Sequence, residues 1–264
     1  MKASERFSRY FHVAPALDDA SRNEVYFIRH DVYARELGFE KPRADQREMD
    51  RYDRHSVHCI VRTADAARRP VGCVRLVIPD AADPHAPLPF ESLCQHTLDR
   101  SIIDPRQCPR GRIAEVSRLA IMGEFRRRKG EQQQPLAINT EDCGGAPIPR
   151  FPNIPISLYF AAVAMAQRQG IEYLFTLTEP RLARHFAMAG VDIQPIGKAV
   201  EHRGSRVPSV LHVSEVYPRL RSFMRPIWHE VQAQIDSALV LRDAVQRAAE
   251  GEMAPLSDFG ALNF

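Results

Sequence analysis

Residues 112–130 read RIAEVSRLAIMGEFRRRKG. Ile113 to Ile121 reads as a strand of alternating apolar residues. Glu115 and Arg118 interrupt that run, and a carboxylate and a guanidinium are costly to bury unless they are paired or used. Both are therefore candidate catalytic residues. In a regular strand Ile113, Glu115, Ser117, Leu119 and Ile121 share one face, while Arg118 falls on the other with Val116 and Ala120. For both charges to serve one pocket, the strand needs a β-bulge between them, or Arg118 must pair with a neighbouring element.

Upstream, residues 1–20 read as a loosely held arm. Residues 21–39 carry an apolar stripe (Val25, Ile28, Val32, Leu37) at helical spacing, and Gly38 is a plausible stop. Arg29 falls beside the stripe and is read as snorkelling at its edge. The loop 40–55 is dense in charge. Glu48, Asp50, Asp53, His55 and His58 lack ordered metal spacing, so the loop is read as a solvated acidic segment and no metal is expected. A further reading has Asp50 and Asp53 pairing with Arg29 to help bind an amine. Two strands, 57–63 and 70–79, are joined by a polar turn. The second is apolar on both faces except at Arg75, which must point into a covered layer. Residues 79–111 form a long Pro-, Asp- and His-rich connection with room for a short helix.

Downstream, 131–155 is irregular. A helix is expected over 156–169, a strand over 171–176, a helix over 180–188 between Pro180 and Gly190, and strands over 191–196 and 207–213 separated by the loop 197–206. Strand–helix alternation predicts a three-layer α/β fold with a central mixed sheet. Residues 223–249 read as one long helix with Ile227, Val231, Ile235, Leu239 and Val245 in a stripe. The expected organisation is an arm (1–20), one catalytic domain (21–216) and a C-terminal helical extension (217–264).

The chain has 264 residues, 44% hydrophobic and 26% charged, with a formal net charge of +3. These values are ordinary for a globular protein, and the interspersed charge gives no argument for nucleic acid. No apolar run approaches the roughly 20 residues of a membrane span, and the N-terminus lacks a signal-peptide core, so a cytoplasmic protein is expected. Five scattered cysteines without a CxxC pair argue against a disulfide framework and against a zinc site.

The series Arg29…Tyr33…Leu37-Gly38-Phe39, Glu48-x-Asp50-x-x-Asp53, Gly72-Cys73-Val74-Arg75-Leu76 and Glu115-Val116-Ser117-Arg118-Leu119 resembles the autoinducer synthase family, whose members join an acyl group from acyl-acyl-carrier-protein to S-adenosylmethionine. The second half looks more like the related N-acyl amino acid synthases and the acyltransferases that accompany PEP-CTERM/exosortase systems. All are similar in fold to GCN5-related N-acetyltransferases (GNAT). The resemblance implies an acyltransferase with Arg29, Asp50, Asp53, Arg75, Glu115 and Arg118 as its charged set, and with Tyr33 and Phe39 as aromatic residues beside the substrate. Phe39 stands where a Trp is usual, and Leu119 follows Arg118 where an aromatic is usual, so the acceptor is left open.

Amide formation from a thioester needs an amine freed of its proton, and Glu115 is assigned that task. Backbone N–H groups at a strand irregularity near Glu115–Arg118 are expected to hold the oxyanion. No Ser-His-Asp or Cys-His constellation stands out, which favours direct attack. Arg126, Arg127, Arg128, Lys129 and Gly130 follow the strand and suit an acidic carrier bearing one phosphate. The expected function is transfer of a long acyl chain from an acyl carrier protein thioester, or from acyl-CoA, to the amine of an amino acid or related small molecule, with no bound cofactor. The alternatives are an acyl-homoserine-lactone synthase using S-adenosylmethionine, and a non-catalytic sensor of acyl chains or carrier protein. The sequence leaves the oligomeric state open.

Overall fold

Four consecutive strands, three of them buried in continuous runs, build the first half of the sheet, and the computed structural model describes residues 3–126 and 154–249 of the chain. Strands β1 (Phe11–Pro15), β2 (Ser56–Thr63), β3 (Pro70–Val77) and β4 (Ile113–Ile121) pair antiparallel in that order. Helix α4 (Ile154–Arg168) then carries the chain to β5 (Tyr173–Thr178), which lies parallel to β4. β8 (Ser205–His212) pairs antiparallel to β5, and β6 (Gln194–Pro195) borders β8. The two-residue β7 (Val200–Glu201) forms a small hairpin with the start of β8.

Period-two alternation sorts side chains to two covered faces. On one face Ile60, Cys73 and Ala120 meet Val25, Tyr26, Ile28 and Val32 from helix α2 (Asp19–His30) and the turn after it. On the other, Cys59, Val61, Val74, Leu76, Ala114 and Val116 meet α4 and helix α7 (Arg225–Ala249). The layers are helix, sheet, helix, as expected, and the helix–strand–helix order of the second half follows the predicted one. A third cluster joins Phe90 of the short helix α3 (Pro89–Leu93) to Val77, Ile113, Phe175, Ile196 and Val210. Phe90 and Phe175 stack at 4.6 Å.

Three expectations are corrected. The described part of the expected arm, residues 3–20, is not loose: helix α1 (Ala3–Tyr10) and β1 put Phe7, Phe11 and Val13 into the core. The strand expected over 191–196 shrinks to two residues, Gln194 and Pro195, because Val191 and Ile193 are buried in the core beside α5 (Pro180–Met188). The stripe of α7 packs through Ile227, Trp228, Val231, Ile235 and Leu239, whereas Val245 is exposed. No helix among the described residues is long and apolar enough to cross a membrane.

Candidate active site

The interruption in the apolar pattern of β4 is a bulge. Cys73 pairs with Ala120 and Arg75 with Ser117, so three steps on β4 face two on β3. Arg118 sits at the extra position with φ +52. Inserting one residue reverses the faces beyond it. Ala114 and Val116 pack with α4, yet Ala120, also an even position, packs with α2. The same insertion brings Arg118 to the side that Glu115 and Ser117 occupy, and all three line one cavity of about 440 Å³. This is the first of the two arrangements the charges demanded, and the second holds as well, since Arg118 pairs with the 40–55 loop.

Arg118 donates from Nη2 to Glu48 Oε1 and to Asp50 Oδ2, each at 3.1 Å. Arg75 donates from Nη1 to Asp50 Oδ1 at 2.7 Å and to Asp53 Oδ1 at 3.0 Å, and from Nε to Ser117 Oγ at 3.1 Å. Arg29 is bidentate on Asp53 at 2.6 and 3.1 Å, and its Nε also donates to Glu48. Three guanidiniums therefore face three carboxylates in a closed network. Arg29 is 0% exposed and Arg75 1%, which is tolerable only because each charge is paired. Burial pushes the Asp53 carboxyl up, but Arg29 and then Arg75 more than offset this and hold it far below the usual carboxylate range. Glu48 is likewise held low, by Arg29 and Arg118 against burial.

Two expectations fall here. Arg29 does not snorkel, and the 40–55 loop is not a solvated acidic segment: Glu48 and Asp53 turn inward and are buried. Of the pairing with Arg29 expected for Asp50 and Asp53, one half is found. Asp53 pairs with Arg29, while Asp50 pairs with Arg75 and Arg118 instead. Glu48 was missed as a site residue although it lies in the same loop. Its signal was only its spacing, two before Asp50 and five before Asp53. His58 lies beneath the network, 3.6 Å from Asp53, and burial, with Arg29 adding to it, pushes its imidazole down to about 3. Among the described residues no group of three His, Cys, Asp or Glu is arranged to hold a metal ion.

Glu115 stands apart from the network. Its Oε2 accepts the Phe90 backbone N–H at 2.7 Å, at the start of α3. Burial raises its pKa to about 7, against the opposing pull of that N–H, Arg75 and Arg118. Tyr33 lies in a π-helical turn (Asp31–Glu36) that continues α2, a local widening common at functional sites. Its carbonyl accepts the N–H groups of Phe39 and Glu40, past Gly38 at φ +65. Both Tyr33 and Phe39 line the cavity.

The cavity opens where the central strands part. β4 and β5 pair only as far as Val116 and Thr176, although both strands run on. Ser117, Arg118 and Leu119 line one side of the slot and Leu177 and Thr178 the other. Leu182 and Phe186 of α5, and Tyr159 of α4, continue an apolar wall. Sequence reading missed this wall, and it missed His202, Arg203 and Arg206 of the β7–β8 hairpin, which line the polar end. Only a turn-like Arg203-Gly204-Ser205 marked that hairpin. Of the basic run, Arg126 is buried against Glu36 and so is not presented to a partner, contrary to expectation. Arg127, Arg128, Lys129 and Gly130 lie outside the described residues.

The parting of two parallel central strands, one of them bulged and charge-bearing, coincides with a sequence match. Residues 28–134 match the acetyltransferase (GNAT) domain. The fold is GNAT-like. Among solved structures, a ternary complex of TofI with an inhibitor and MTA aligns at TM-score 0.55 and 22% identity, over 82% of this chain and 95% of that one. The acyl-homoserine lactone synthase BjaI, described as CoA-dependent and solved with SAM and isopentyl-CoA, aligns at 0.55 and 18% identity, over 84% and 89%. FeeM, an N-acyl amino acid synthase from uncultured soil microbes, aligns at 0.50 and 13% identity, over 80% and 94%. No curated protein matches the chain in sequence. The resemblance to the autoinducer synthases and N-acyl amino acid synthases is thus borne out at the level of the GNAT fold.

Proposed function

We propose that this chain is an N-acyltransferase that moves an acyl group from a thioester on acyl carrier protein, or on coenzyme A, to the amine of an amino acid or related small molecule by direct attack. The observation that carries this reading is Glu115: a buried carboxyl with a pKa near 7, lining the cavity beside the slot between β4 and β5. A base with that pKa accepts a proton from an incoming ammonium near neutral pH. The freed amine then attacks the thioester carbonyl, forming the C–N bond. The C–S bond breaks as the tetrahedral intermediate collapses, and the thiolate takes up a proton.

Other features support the same reading. Beyond Val116 and Thr176, β4 and β5 no longer pair with each other, and such parted edges can receive an extended arm bearing amide groups. The apolar wall of Val116, Leu119, Tyr159, Leu177, Leu182 and Phe186 suits an acyl chain. The paired Arg29–Asp53–Arg75–Asp50–Arg118–Glu48 network fixes the polar end, so its dipoles need not reorganise during reaction. The bulge at Arg118 supplies the strand irregularity at which an oxyanion can meet backbone N–H groups.

The test is mass spectrometry of lipid extracts from cells overproducing the chain, beside a Glu115→Gln control. New N-acylated amines that fall by about 100-fold or more in the control support the reading. Equal amounts in both strains remove Glu115 from the chemistry. No new lipid in either, with no thiol released in vitro from acyl-carrier protein or acyl-CoA supplied with amino acids or S-adenosylmethionine, would overturn the enzyme reading in favour of a binding role.

A further inference from the structure

The β7–β8 hairpin presents a guanidinium that the acyl-transfer chemistry does not use. His202, Arg203 and Gly204 form its tip, with His202 N–H donating to the Gly204 carbonyl at 3.0 Å. Gly204 has φ +94, natural for glycine, but Arg203 has φ +56. A branched-at-Cβ or long side chain in the left-handed region is disfavoured, and Asn or Gly is the usual occupant. An outlier of this kind is informative where its side chain reaches a site. Arg203 does so. It lines the cavity, its Cζ lies 5.8 Å from the Tyr33 ring, and Arg118 approaches the same ring at 5.7 Å.

The four cavity guanidiniums differ in what occupies them. Arg75 and Arg118 are taken up by the carboxylates of the buried network. Arg206 pairs with Glu179 at 2.8 Å and donates to the carbonyls of His202 and Arg203. Arg203 pairs through Nη2 with the half-exposed Glu40, and its fork has further N–H donors to offer. Burial lowers its pKa, with Arg206 and Arg29 adding to the effect and Tyr33 opposing it. A desolvated guanidinium at the end of a cavity gains most from a planar anion it can grip. Asp50 and Glu115 line the same cavity and are acidic groups that can receive an ammonium.

Resting on the acyltransferase reading above, we propose that Arg203 grips the carboxylate of the acceptor, so that the enzyme acylates amino acids as zwitterions and discriminates against amines that lack the anion. The amine is directed to Glu115 and Asp50, and the carboxylate to the hairpin. The neighbouring His202, held neutral by burial and by Arg118 and Arg206, adds a hydrogen-bonding group without a second charge.

The experiment compares a pool of the proteinogenic amino acids with the pool of their α-amides, which keep the side chains and the amine but lose the anion. The full chain, with acyl-carrier protein and acyl-CoA as donors, is assayed for thiol release and for N-acyl product, in the unmodified protein and in Arg203→Met and Arg203→Lys. Expected is a KM for amino acids raised about 10- to 100-fold in Arg203→Met, little change in kcat, an unchanged KM for the amides, and partial recovery in Arg203→Lys. A variant that loses amino acids and amides alike, or an unmodified enzyme that prefers the amides as strongly as the variant does, overturns the proposal while leaving the acyltransferase reading intact. Unmodified protein that forms no N-acyl product with either pool overturns both.

Discussion

At the scale of single residues, the site contrasts two ways of keeping charge inside a protein. Asp53 is buried with two guanidiniums, whereas Glu115 is buried with a backbone N–H and stays close to neutral. Replacing Asp53 by Asn leaves Arg29 and Arg75 under-compensated in the interior, and a loss of about 3–5 kcal/mol is expected in denaturant unfolding. Asp50→Asn should cost less, since that side chain is 27% exposed and water can screen the change. Glu115 runs the other way. Its folded pKa of about 7 exceeds its ordinary 4.5, so the folded state binds the proton more tightly. Its stabilising contribution is complete below pH 4.5 and is lost as pH rises to about 7. Relative to the Glu115→Gln variant, the unmodified protein should therefore lose stability over that window, by roughly 3 kcal/mol at most. Urea titrations of both at pH 5 and pH 8 measure the difference. Activity should rise over the same range as the carboxylate forms.

The reach of sequence at this scale was uneven. Arg29, Arg75, Glu115 and Arg118 stood out because an ionic group within an apolar pattern must find a partner, Asp50 and Asp53 were implied by the family resemblance, and all six lie in the network or the cavity. Glu48 escaped because its loop carries many acids, and nothing in a loop's spacing says which of them turn inward.

At the scale of elements, the bulge in β4 does the positioning. Gly72 of β3 lies against it: a Cβ there would sit 2.6 Å from the Ala120 carbonyl oxygen and 3.2 Å from Leu158 Cδ1. Neither the strand backbone nor a helix packed beneath can yield freely. Gly72→Ala is therefore expected to cost about 1–3 kcal/mol and to lower activity beyond that by displacing Arg118, read as a fall in kcat in protein that remains folded. In α7 the packed and unpacked parts separate cleanly. Ile235→Ala should cost about 2–4 kcal/mol, whereas Val245→Ala, at an exposed position, should stay within about 0.5 kcal/mol. Thermal unfolding of the two variants checks both. The need for a bulge was legible from two charges three residues apart on an apolar strand. The hairpin tip was not, because a left-handed Arg is set by the pairing of β7 with β8 and carries no propensity signal.

At the scale of the whole molecule, the N-terminal segment is structural. Phe7, Phe11 and Val13 close the edge of the sheet under α7, and the Val13 N–H donates to Gln234 of that helix at 2.7 Å. Removing residues 1–17 should uncover the edge of β2 together with one side of α7. A fall of roughly 10 °C or more in unfolding midpoint, with aggregation, is expected in calorimetry. The acid limb of stability carries a second buried group. His58, pushed down to about 3 from the usual imidazole value near 6.5, contributes stability above pH 6.5 that is lost as pH falls towards 3. Between pH 4.5 and 6.5 it opposes Glu115, so His58→Phe should gain stability relative to the unmodified protein as the pH is lowered from 7 to 4.

The sequence by itself determined the layers, the central strand and the charges that interrupt its apolar patterns, because periodicity and the cost of unpaired charge are local facts. Tertiary structure alone decided that Phe11–Pro15 join the sheet, that Glu48 turns inward while Arg126 is sealed against Glu36, and that the β7–β8 hairpin brings Arg203 over Tyr33. Each of these rests on contact between segments distant in the chain, where the free energy lies in the pairing and no single stretch records it.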